Sequence, residues 1–175
     1  MTLRDSISDK HIKAEKHCFI NLLLDKKITE EVYADFLFQQ YQCYSALEKK
    51  AKEYGLLDGI EDIARTQKIF DDFIEFGLSG SHFKSTQNYI THIDTLSKEQ
   101  VLAHLYVRHF GDMYGGQMIK RLIPGKGSMY EFENRPELIA KVREMLTDDL
   151  ADEANVCFDF VLELFDELAI EHNLH

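Results

Sequence analysis

The chain has 175 residues, a formal net charge of −11, 45% hydrophobic residues and 29% charged residues. These proportions are ordinary for a globular protein in water, and the length is sufficient for one domain with a substantial core. The negative charge argues against nucleic acid or an anionic membrane surface as the main partner. We therefore expect a single domain over residues 1–175 that binds neither nucleic acid nor membrane.

The N-terminus and the cysteines indicate a cellular compartment. The first ten residues, M-T-L-R-D-S-I-S-D-K, lack the apolar segment of a signal peptide, and no window approaches the roughly 18 apolar residues of a membrane helix. Cys18, Cys43 and Cys157 are widely spaced within apolar helical pattern, which is typical of buried reduced thiols rather than of a disulfide framework. We expect a cytoplasmic protein.

The spacing of apolar residues predicts an all-α fold, and only two prolines and no Asn-Gly hairpin signal agree with it. The first predicted helix carries a core-facing stripe of residues three and four apart: Leu3, Ile7, Ala14, Cys18 and Leu22. His11 falls within that stripe, and Glu15 follows it by one turn. A histidine on an apolar face is more often a core residue than a ligand, although a carboxylate at this spacing can orient an imidazole for a metal. Both interpretations stay open.

Further helices are predicted along the rest of the chain. One helix is predicted from Thr29 to a stop at Gly55, a second from about Asp58 to Phe76, and a weaker one from Asn88 to Asp94 after the loop Leu78 to Ser85. A longer helix is predicted from Ser97 to Leu122, and another begins at Pro136. The last helix is amphipathic, and its apolar face, which includes Phe158, is predicted to face the core. No internal repeat or linker interrupts them.

The segment R-H-F-G-D-M-Y-G-G-Q-M-I-K, residues 108–120, places three glycines in a predicted helix that opens with a capping box. Each interior glycine costs about 1 kcal/mol relative to alanine. Gly111 and Gly115 share one helix face and open a notch, where either another helix or a flat ligand could approach the backbone. Asp112 favours the ligand, because a carboxylate beside an apolar notch is costly unless it is solvated, paired or used.

Several catalytic patterns are absent from the sequence. No Glu-x-x-His pair of a carboxylate di-iron bundle occurs, which excludes a ferritin-like site. The chain also lacks H-E-x-x-H, C-x-x-C, G-x-S-x-G, a phosphate-cradling glycine loop and a dinucleotide fingerprint. Common hydrolase and nucleotide chemistries are therefore unsupported.

Four segments together resemble heme oxygenase: H-I-K-A-E from residue 11, Y-Q-C-Y-S-A-L-E from residue 41, A-H-L-Y-V-R-H-F-G-D-M-Y-G-G-Q from residue 103, and D-E-A-N-V-C-F-D-F-V-L-E-L-F-D-E-L from residue 152. The region between Ile123 and Leu138 matches poorly. The chain looks shorter than most relatives, and the resemblance leads us to expect the soluble bacterial or phage type, without the C-terminal anchor of eukaryotic members. The resemblance implies a single-domain helical bundle that holds heme b between the first helix and a kinked, glycine-rich distal helix.

The resemblance also implies roles for residues near the heme iron. His11 becomes the iron ligand and Glu15 its hydrogen-bond partner, with Ala14 and Phe158 as heme contacts. On the distal side, three glycines would bring helix backbone close to the heme: Gly111, Gly115 and Gly116.

The same resemblance implies that Asp112 orders a network of water molecules next to the bound dioxygen. Tyr44 would hydrogen-bond to Asp112, while Tyr106 and Arg108 support the pocket. Protonation through water favours attack on a carbon of the ring, whereas a strong acid in direct contact would favour O–O cleavage.

Cations at the rim are expected to pair with the two heme propionates. Arg4 matches a lysine position in relatives, and Arg143 is the preferred match on the later helix, with Lys141 close behind. Tyr114 occupies a position that is small in many relatives. The sequence does not decide whether its ring narrows the pocket or faces away.

The implied function is an enzyme that uses heme as substrate and cofactor. Three molecules of O2, with electrons from a ferredoxin or flavoprotein reductase, would open the ring to biliverdin, carbon monoxide and ferrous iron. Two basic groups could attract an acidic donor: Lys10, Lys13 and Lys16 on the first helix, and Lys120, Arg121 and Lys126 near the distal helix. The alternatives are a heme carrier or sensor without turnover, and a cofactor-free, thiaminase-like hydrolase of the same fold.

Overall fold

The computed structural model describes residues 1–77 and 80–175, and within that part the chain contains helices and no strand. The α-helices are α1 Leu3–Glu15, α2 Cys18–Leu24, α3 Glu30–Glu53, α4 Thr66–Phe73, α5 Lys84–Asp94, α6 Lys98–Leu105, α7 Gly111–Ile119, α8 Arg135–Met145 and α9 Ala151–Glu171. A π-helical segment, Tyr106–Phe110, joins α6 to α7, and 3-10 turns lie at Glu61–Ile63, Ile74–Phe76, Ser128–Tyr130 and Asp148–Leu150. The all-α prediction is confirmed.

The segment predicted as the first helix forms two helices, α1 and α2. The prediction of one continuous core-facing stripe from Leu3 to Leu22 is therefore wrong. α1 ends at Glu15, and His17 caps α2 because its Nδ1 accepts the backbone N–H of Phe19 at 3.1 Å. The break shifts the buried face by one residue. Phe19 and Leu23 are buried, whereas Leu22 is only partly buried.

The two longest helices, α3 and α9, organise the packing. α3 begins where predicted, because the Thr29 hydroxyl accepts the backbone N–H of Val32 at 3.2 Å. α3 packs against α4, α5 and α6, while α9 packs against α1, α5 and α6. These contacts leave α1, α2, α3, α7 and α9 around one cavity, described below.

The starts of α4 and α5 differ from the predicted ones for a common reason. The helix predicted from Asp58 begins at Thr66, because the Glu48 carboxylate of α3 accepts the backbone N–H groups of Arg65 and Thr66 at 2.6 and 3.1 Å. A carboxylate at these positions satisfies N–H groups that have no partner within a helix.

The stretch predicted from Asn88 begins at Lys84, because Glu167 of α9 accepts the N–H groups of Lys84 and Ser85 at 3.0 and 2.8 Å. The predicted loop from Leu78 to Ser85 therefore overlaps α5 by two residues. Leu78 and Ser79 of that loop lie outside the described residues.

The glycine-rich helix keeps its predicted start but not its continuity. The Ser97–Gln100 capping box is present, with the Ser97 N–H donating to Gln100 Oε1 at 2.9 Å and the Gln100 N–H donating to Ser97 Oγ at 3.3 Å. The helix predicted to reach Leu122 ends at Ile119 and contains the π-helical segment just before the glycines. Such segments are a known cause of helix bends and often lie at functional sites.

The C-terminal third follows the prediction more closely. α8 has Pro136 in its first turn, and α9 buries an apolar face that includes Cys157 and Phe158. Among the residues that the structure describes, no helix combines the length and apolarity required to cross a bilayer.

Candidate functional site

One cavity of about 610 Å³ lies between α1, α2, α3, the π-helical segment, α7 and α9. Its volume falls in the range of small-molecule and cofactor sites, roughly 300–1,000 Å³. Most of its wall is apolar and includes Phe19, Ile20, Leu23, Phe36, Val107, Met118, Ile119, Val161, Leu164 and Phe165. A small number of polar groups lies among these side chains, as expected for a pocket that orients its ligand.

The glycines of α7 divide between the cavity and the protein core. Gly111 and Gly115 line the cavity, and a Cβ built on either would have no heavy atom within 4 Å. Gly116 differs, because a Cβ there would lie 2.5 Å from the Tyr130 ring. The cavity wall therefore presents bare backbone at two of the three positions, while Gly116 allows close helix packing.

His11 lies on the wall formed by α1. Its side chain is 53% exposed, so the structure does not place it in the core, and its Nε2 lies 3.3 Å from Glu15 Oε1. The ring meets Phe158 of α9 edge to face at a centroid distance of 5.8 Å. Ala14, which is buried, and Glu15 also line the cavity. An accessible imidazole thus faces an apolar cavity from one side.

Asp112 and Tyr44 form the main polar contact in the cavity wall. The Tyr44 hydroxyl donates to Asp112 Oδ2 at 2.5 Å, as the resemblance implied. Burial raises the pKa of Asp112 to about 6, although the Tyr44 hydrogen bond and the charges of His109 and Arg108 oppose the rise. Burial, followed by the negative charge of Asp112, holds the pKa of Tyr44 well above its ordinary value. Asp112 can therefore hold or release a proton near neutral pH.

Arg108 fixes the residues behind this contact. Its Nε donates to the Tyr89 hydroxyl at 3.0 Å, and its Nη1 donates to Gln40 Oε1 at 3.2 Å. The guanidinium also lies over the rings of Tyr89 and Tyr44, at 4.3 and 5.7 Å from their centroids. Sequence reasoning missed Gln40 and Tyr89, because only the fold brings α3 and α5 to Arg108.

Two of the predicted rim cations, Arg4 and Arg143, both act on Tyr106, and none of these three residues is among those that line the cavity. Burial raises the pKa of Tyr106, and the charges of Arg4 and Arg143 partly oppose this rise. Arg143 donates to the hydroxyl of Tyr114, whose ring packs on Phe110 at 4.7 Å. Tyr114 is 48% exposed and does not line the cavity. Its orientation, left open by the sequence, is away from the cavity.

Lys141 does not join this rim group. Its Nζ donates instead to the Gly59 carbonyl at 3.0 Å. The reason is helical geometry: residues two apart in an α-helix point about 200° apart, so Lys141 and Arg143 cannot serve one site.

Glu48 and His109 form a buried pair behind Tyr44, which the sequence analysis did not single out. His109 Nε2 lies 2.7 Å from Glu48 Oε2, and the ring of His109 packs on Tyr44 at 4.8 Å. Burial alone would raise the pKa of Glu48, but hydrogen bonds from His109 and Thr66 lower it to about 2. Glu48 is a charged residue one turn after Tyr44 on a buried face, and that position was the available signal.

The fold and this cavity define an α-helical protein with a binding site for a large, flat, mostly apolar ligand. The site offers an imidazole on one wall and bare backbone with a protonatable acid on another. A family model described as heme oxygenase matches residues 1–167, so the chain belongs to the heme oxygenase family. It is therefore a heme-degrading oxidoreductase, for which heme is both substrate and prosthetic group.

Curated relatives and solved structures agree with this assignment. The heme oxygenase of Guillardia theta is 25% identical over 97% of this chain and 86% of its own length, and heme oxygenase 1 of Nostoc sp. is 26% identical over 95% and 84%. The structure resembles heme oxygenase of Leptospira interrogans (TM-score 0.84, 24% identity, 95% of this chain and 100% of that one). It also resembles heme oxygenase-1 from Synechocystis sp. PCC6803 in complex with heme (TM-score 0.82, 21% identity, 97% and 91%).

Proposed function

We propose that this cavity binds heme b between α1 and α7, and that the protein uses O2 and external electrons to convert heme to biliverdin, carbon monoxide and ferrous iron. One observation carries the proposal: the imidazole of His11 and the backbone of Gly111 and Gly115 line the same cavity. When bound, heme supplies both the iron that activates oxygen and the carbon skeleton that is oxidised.

The residues of the cavity fit this group. The open space beside Gly111 and Gly115 can accept a flat ring at the backbone, which a Cβ at either position would narrow. The apolar walls suit the ring faces, and His11 is the imidazole that faces the cavity from α1. The arginines beside Tyr106 provide positive charge for carboxylate side chains of the ring.

We assign roles to the polar residues accordingly. His11 would hold the iron, and Glu15, whose Oε1 lies 3.3 Å from the imidazole Nε2, would accept a hydrogen bond from the ring and so orient it. Asp112 accepts from Tyr44 and keeps further acceptor capacity for water, so it can position water and relay a proton to the distal side of the site. Arg108 acts indirectly, because it fixes Tyr44 through ring contact and Gln40 through a hydrogen bond. Arg4 and Arg143 orient the ligand through its propionates.

The first experiment is hemin titration of the whole chain. The wild type should develop a Soret band with one equivalent bound, and His11→Ala should weaken or shift that band. His82→Ala is the matched control, because the His82 ring packs on Phe38 and is not among the cavity-lining residues. A band that His11→Ala leaves unchanged would contradict the role of His11.

The second experiment separates turnover from storage. The heme complex supplied with reductant and O2 should lose its Soret band and develop bilin absorbance, and the headspace should contain carbon monoxide. Heme that stays intact under these conditions would identify a carrier or sensor and refute the proposed reaction.

We further propose that an acidic ferredoxin, or a similar reductase domain, delivers the electrons at the basic residues beside the cavity. Within residues 1–77 and 80–175, salt bridges neutralise Lys10 with Asp159, Lys120 with Glu131 and Lys126 with Glu75. The other basic residues of the two groups, Lys13, Lys16 and Arg121, have no salt-bridge partner in the described part of the chain. These three should therefore contribute most to attraction.

The double variant Lys120→Glu/Arg121→Glu should raise the half-saturating ferredoxin concentration at low salt, and added salt should reduce the difference. The matched single variants should show a larger effect for Arg121→Glu than for Lys120→Glu, because Lys120 is already paired. Unchanged half-saturation in the double variant would exclude this surface.

A further inference from the structure

Away from the heme cavity, the side chains of three helices converge on a second polar site. His92 Nε2 of α5 lies 2.6 Å from Glu153 Oε1 of α9, and His104 Nε2 of α6 lies 2.7 Å from the same oxygen. All three atoms lie within 4.8 Å of one another. None of these residues lines the heme cavity.

We infer that His92, His104 and Glu153 form a binding site for a divalent metal ion of the zinc type. Two imidazoles and one carboxylate are a donor set that zinc accepts, whereas magnesium and calcium prefer oxygen ligands alone. Three protein ligands with a fourth position left to water are the usual composition of an open zinc site.

The geometry requires only a small adjustment. Ligand atoms about 2.0–2.1 Å from a tetrahedral zinc ion lie about 3.3 Å from one another. The two present contacts of 2.6 and 2.7 Å would therefore lengthen by less than about 1 Å, and the two imidazole nitrogens, which lie within 4.8 Å of each other, would approach by no more than about 1.5 Å. Zinc would bind the Nε2 lone pair of each neutral imidazole, with the ring proton on Nδ1, and an imidazole that is doubly protonated would release one proton on binding.

The surroundings support ligation by His104. Its Nδ1 lies 2.7 Å from the hydroxyl of Tyr89, which leaves Nε2 for the metal and fixes the orientation of the ring. A hydrogen bond at the second nitrogen is the usual arrangement for a metal-binding histidine.

The site is accessible on one side only. The side chain of His104 is fully buried, whereas those of His92 and Glu153 are 27% and 12% exposed. The cluster therefore reaches solvent through His92 and Glu153. The inner side connects through Tyr89 to Arg108, which lines the heme cavity.

The test uses the whole chain without heme, so its result is independent of the proposed heme reaction. The protein is dialysed against zinc, washed by gel filtration and analysed for retained metal, and the affinity is measured by competition with a chromogenic chelator. The wild type should retain one equivalent of zinc. Replacing zinc with cobalt should give the visible absorption of a four- or five-coordinate ion with nitrogen ligands.

Loss of a residue that only hydrogen-bonds to a zinc ligand weakens zinc binding roughly 10-fold to 100-fold. His92→Ala and Glu153→Gln remove proposed zinc ligands, so each should weaken binding by more than this. His172→Asn is the matched control, because it removes another imidazole–carboxylate contact, His172 with Asp35 at 2.8 Å, outside the three-residue cluster. The control should retain the wild-type affinity. Circular dichroism and thermal unfolding confirm that each variant is folded.

Two results would overturn the inference. The first is a wild-type protein that retains no zinc after gel filtration, which would identify the cluster as a hydrogen-bonded contact between helices. The second is zinc binding that His92→Ala and Glu153→Gln leave unchanged, which would place the metal elsewhere. His11→Ala then reports whether that other site is the heme cavity.

Discussion

Glu48 and Asp112 are two carboxylates near the same tyrosine, and their environments differ. Glu48 faces the core and accepts hydrogen bonds from four donors, the backbone N–H groups of Arg65 and Thr66, the Thr66 hydroxyl and His109. Asp112 faces the cavity and accepts one, from Tyr44. Their pKa values move in opposite directions, to about 2 and about 6. A carboxylate saturated by protein donors stabilises the fold, whereas one with free acceptor capacity can serve a ligand.

The glycines of α7 show the same contrast. At Gly116 the Tyr130 ring occupies the space that a side chain would need, so the glycine allows close packing within the protein. Gly115 faces open space in the cavity, so its cost in helix stability is not offset by any contact within the free chain. In both comparisons the residue in the core has partners within the protein: Glu48 has its hydrogen-bond donors and Gly116 has the Tyr130 ring. The residue at the cavity, Asp112 or Gly115, has fewer such partners or none. The cavity positions are therefore the ones that a ligand can satisfy.

The largest expected effect is the loss of stability when the buried pair of Glu48 and His109 is broken. Glu48→Ala removes the acceptor for His109 and for the first N–H groups of α4, and it should lower the free energy of unfolding by about 3–5 kcal/mol. Glu48→Gln keeps the size and one acceptor oxygen, so it should cost less. Urea denaturation monitored by circular dichroism measures both. A loss below about 1 kcal/mol in Glu48→Ala would contradict a structural role.

On the cavity side, Asp112→Ala should reduce bilin formation about 100-fold while hemin binding is retained, because the carboxylate positions water and relays a proton rather than holding the ring. Soret titration and bilin absorbance measure the two properties separately. Asp112→Asn is the control, since it keeps the size but cannot exchange a proton in the same way. Unaltered product yield in Asp112→Ala would mean that the water network is organised elsewhere.

The pH dependence of stability should also distinguish the two carboxylates. The folded pKa of Asp112 is about 6, above the unfolded value of about 3.9, so the folded state binds the proton more tightly. Its contribution is present below pH 4 and is lost as pH rises through 6, on the order of 3 kcal/mol. Glu48 behaves oppositely, because its contribution is present above about pH 4.3 and is lost as pH falls toward 2.

Denaturant unfolding of the wild type and Asp112→Asn between pH 4 and 7 tests this assignment. The wild-type free energy of unfolding should fall relative to that of the variant as pH rises. A difference that stays constant over this range would show that Asp112 does not titrate there.

Local patterns were sufficient to predict the helices but not all of their limits. The capping residue Thr29 and the Ser97–Gln100 box act on their own helices, so those starts were predictable. The starts of α4 and α5 were not, because Glu48 and Glu167 cap them from distant helices. The end of α1 was missed because the pattern of apolar residues continues past the break.

The candidate site divides in a similar way. His11, Asp112 and the cavity glycines could be predicted, because each is an exception within its own helix: a histidine in an apolar stripe, an acid beside a notch, or a costly glycine. Contacts between helices could not be predicted from patterns within one helix, and the resemblance supplied only some of them. The orientation of Tyr114, for example, depends on Arg143 from α8 and Phe110 from the π-helical segment.

The smallest expected effect is the change in the free energy of unfolding when a glycine of α7 is replaced by alanine. This change should have opposite signs at Gly115 and Gly116. Gly115→Ala should raise the free energy of unfolding by up to about 1 kcal/mol, because alanine favours the helix and its Cβ meets nothing within 4 Å. Gly116→Ala should lower it, because its Cβ would lie 2.5 Å from the Tyr130 ring. Chemical denaturation of the two variants measures the difference, and hemin titration should show weaker binding to Gly115→Ala because the added methyl group enters the cavity. Equal destabilisation by the two substitutions would mean that the cavity glycine also packs within the protein, and the contrast between the two faces of α7 would fail.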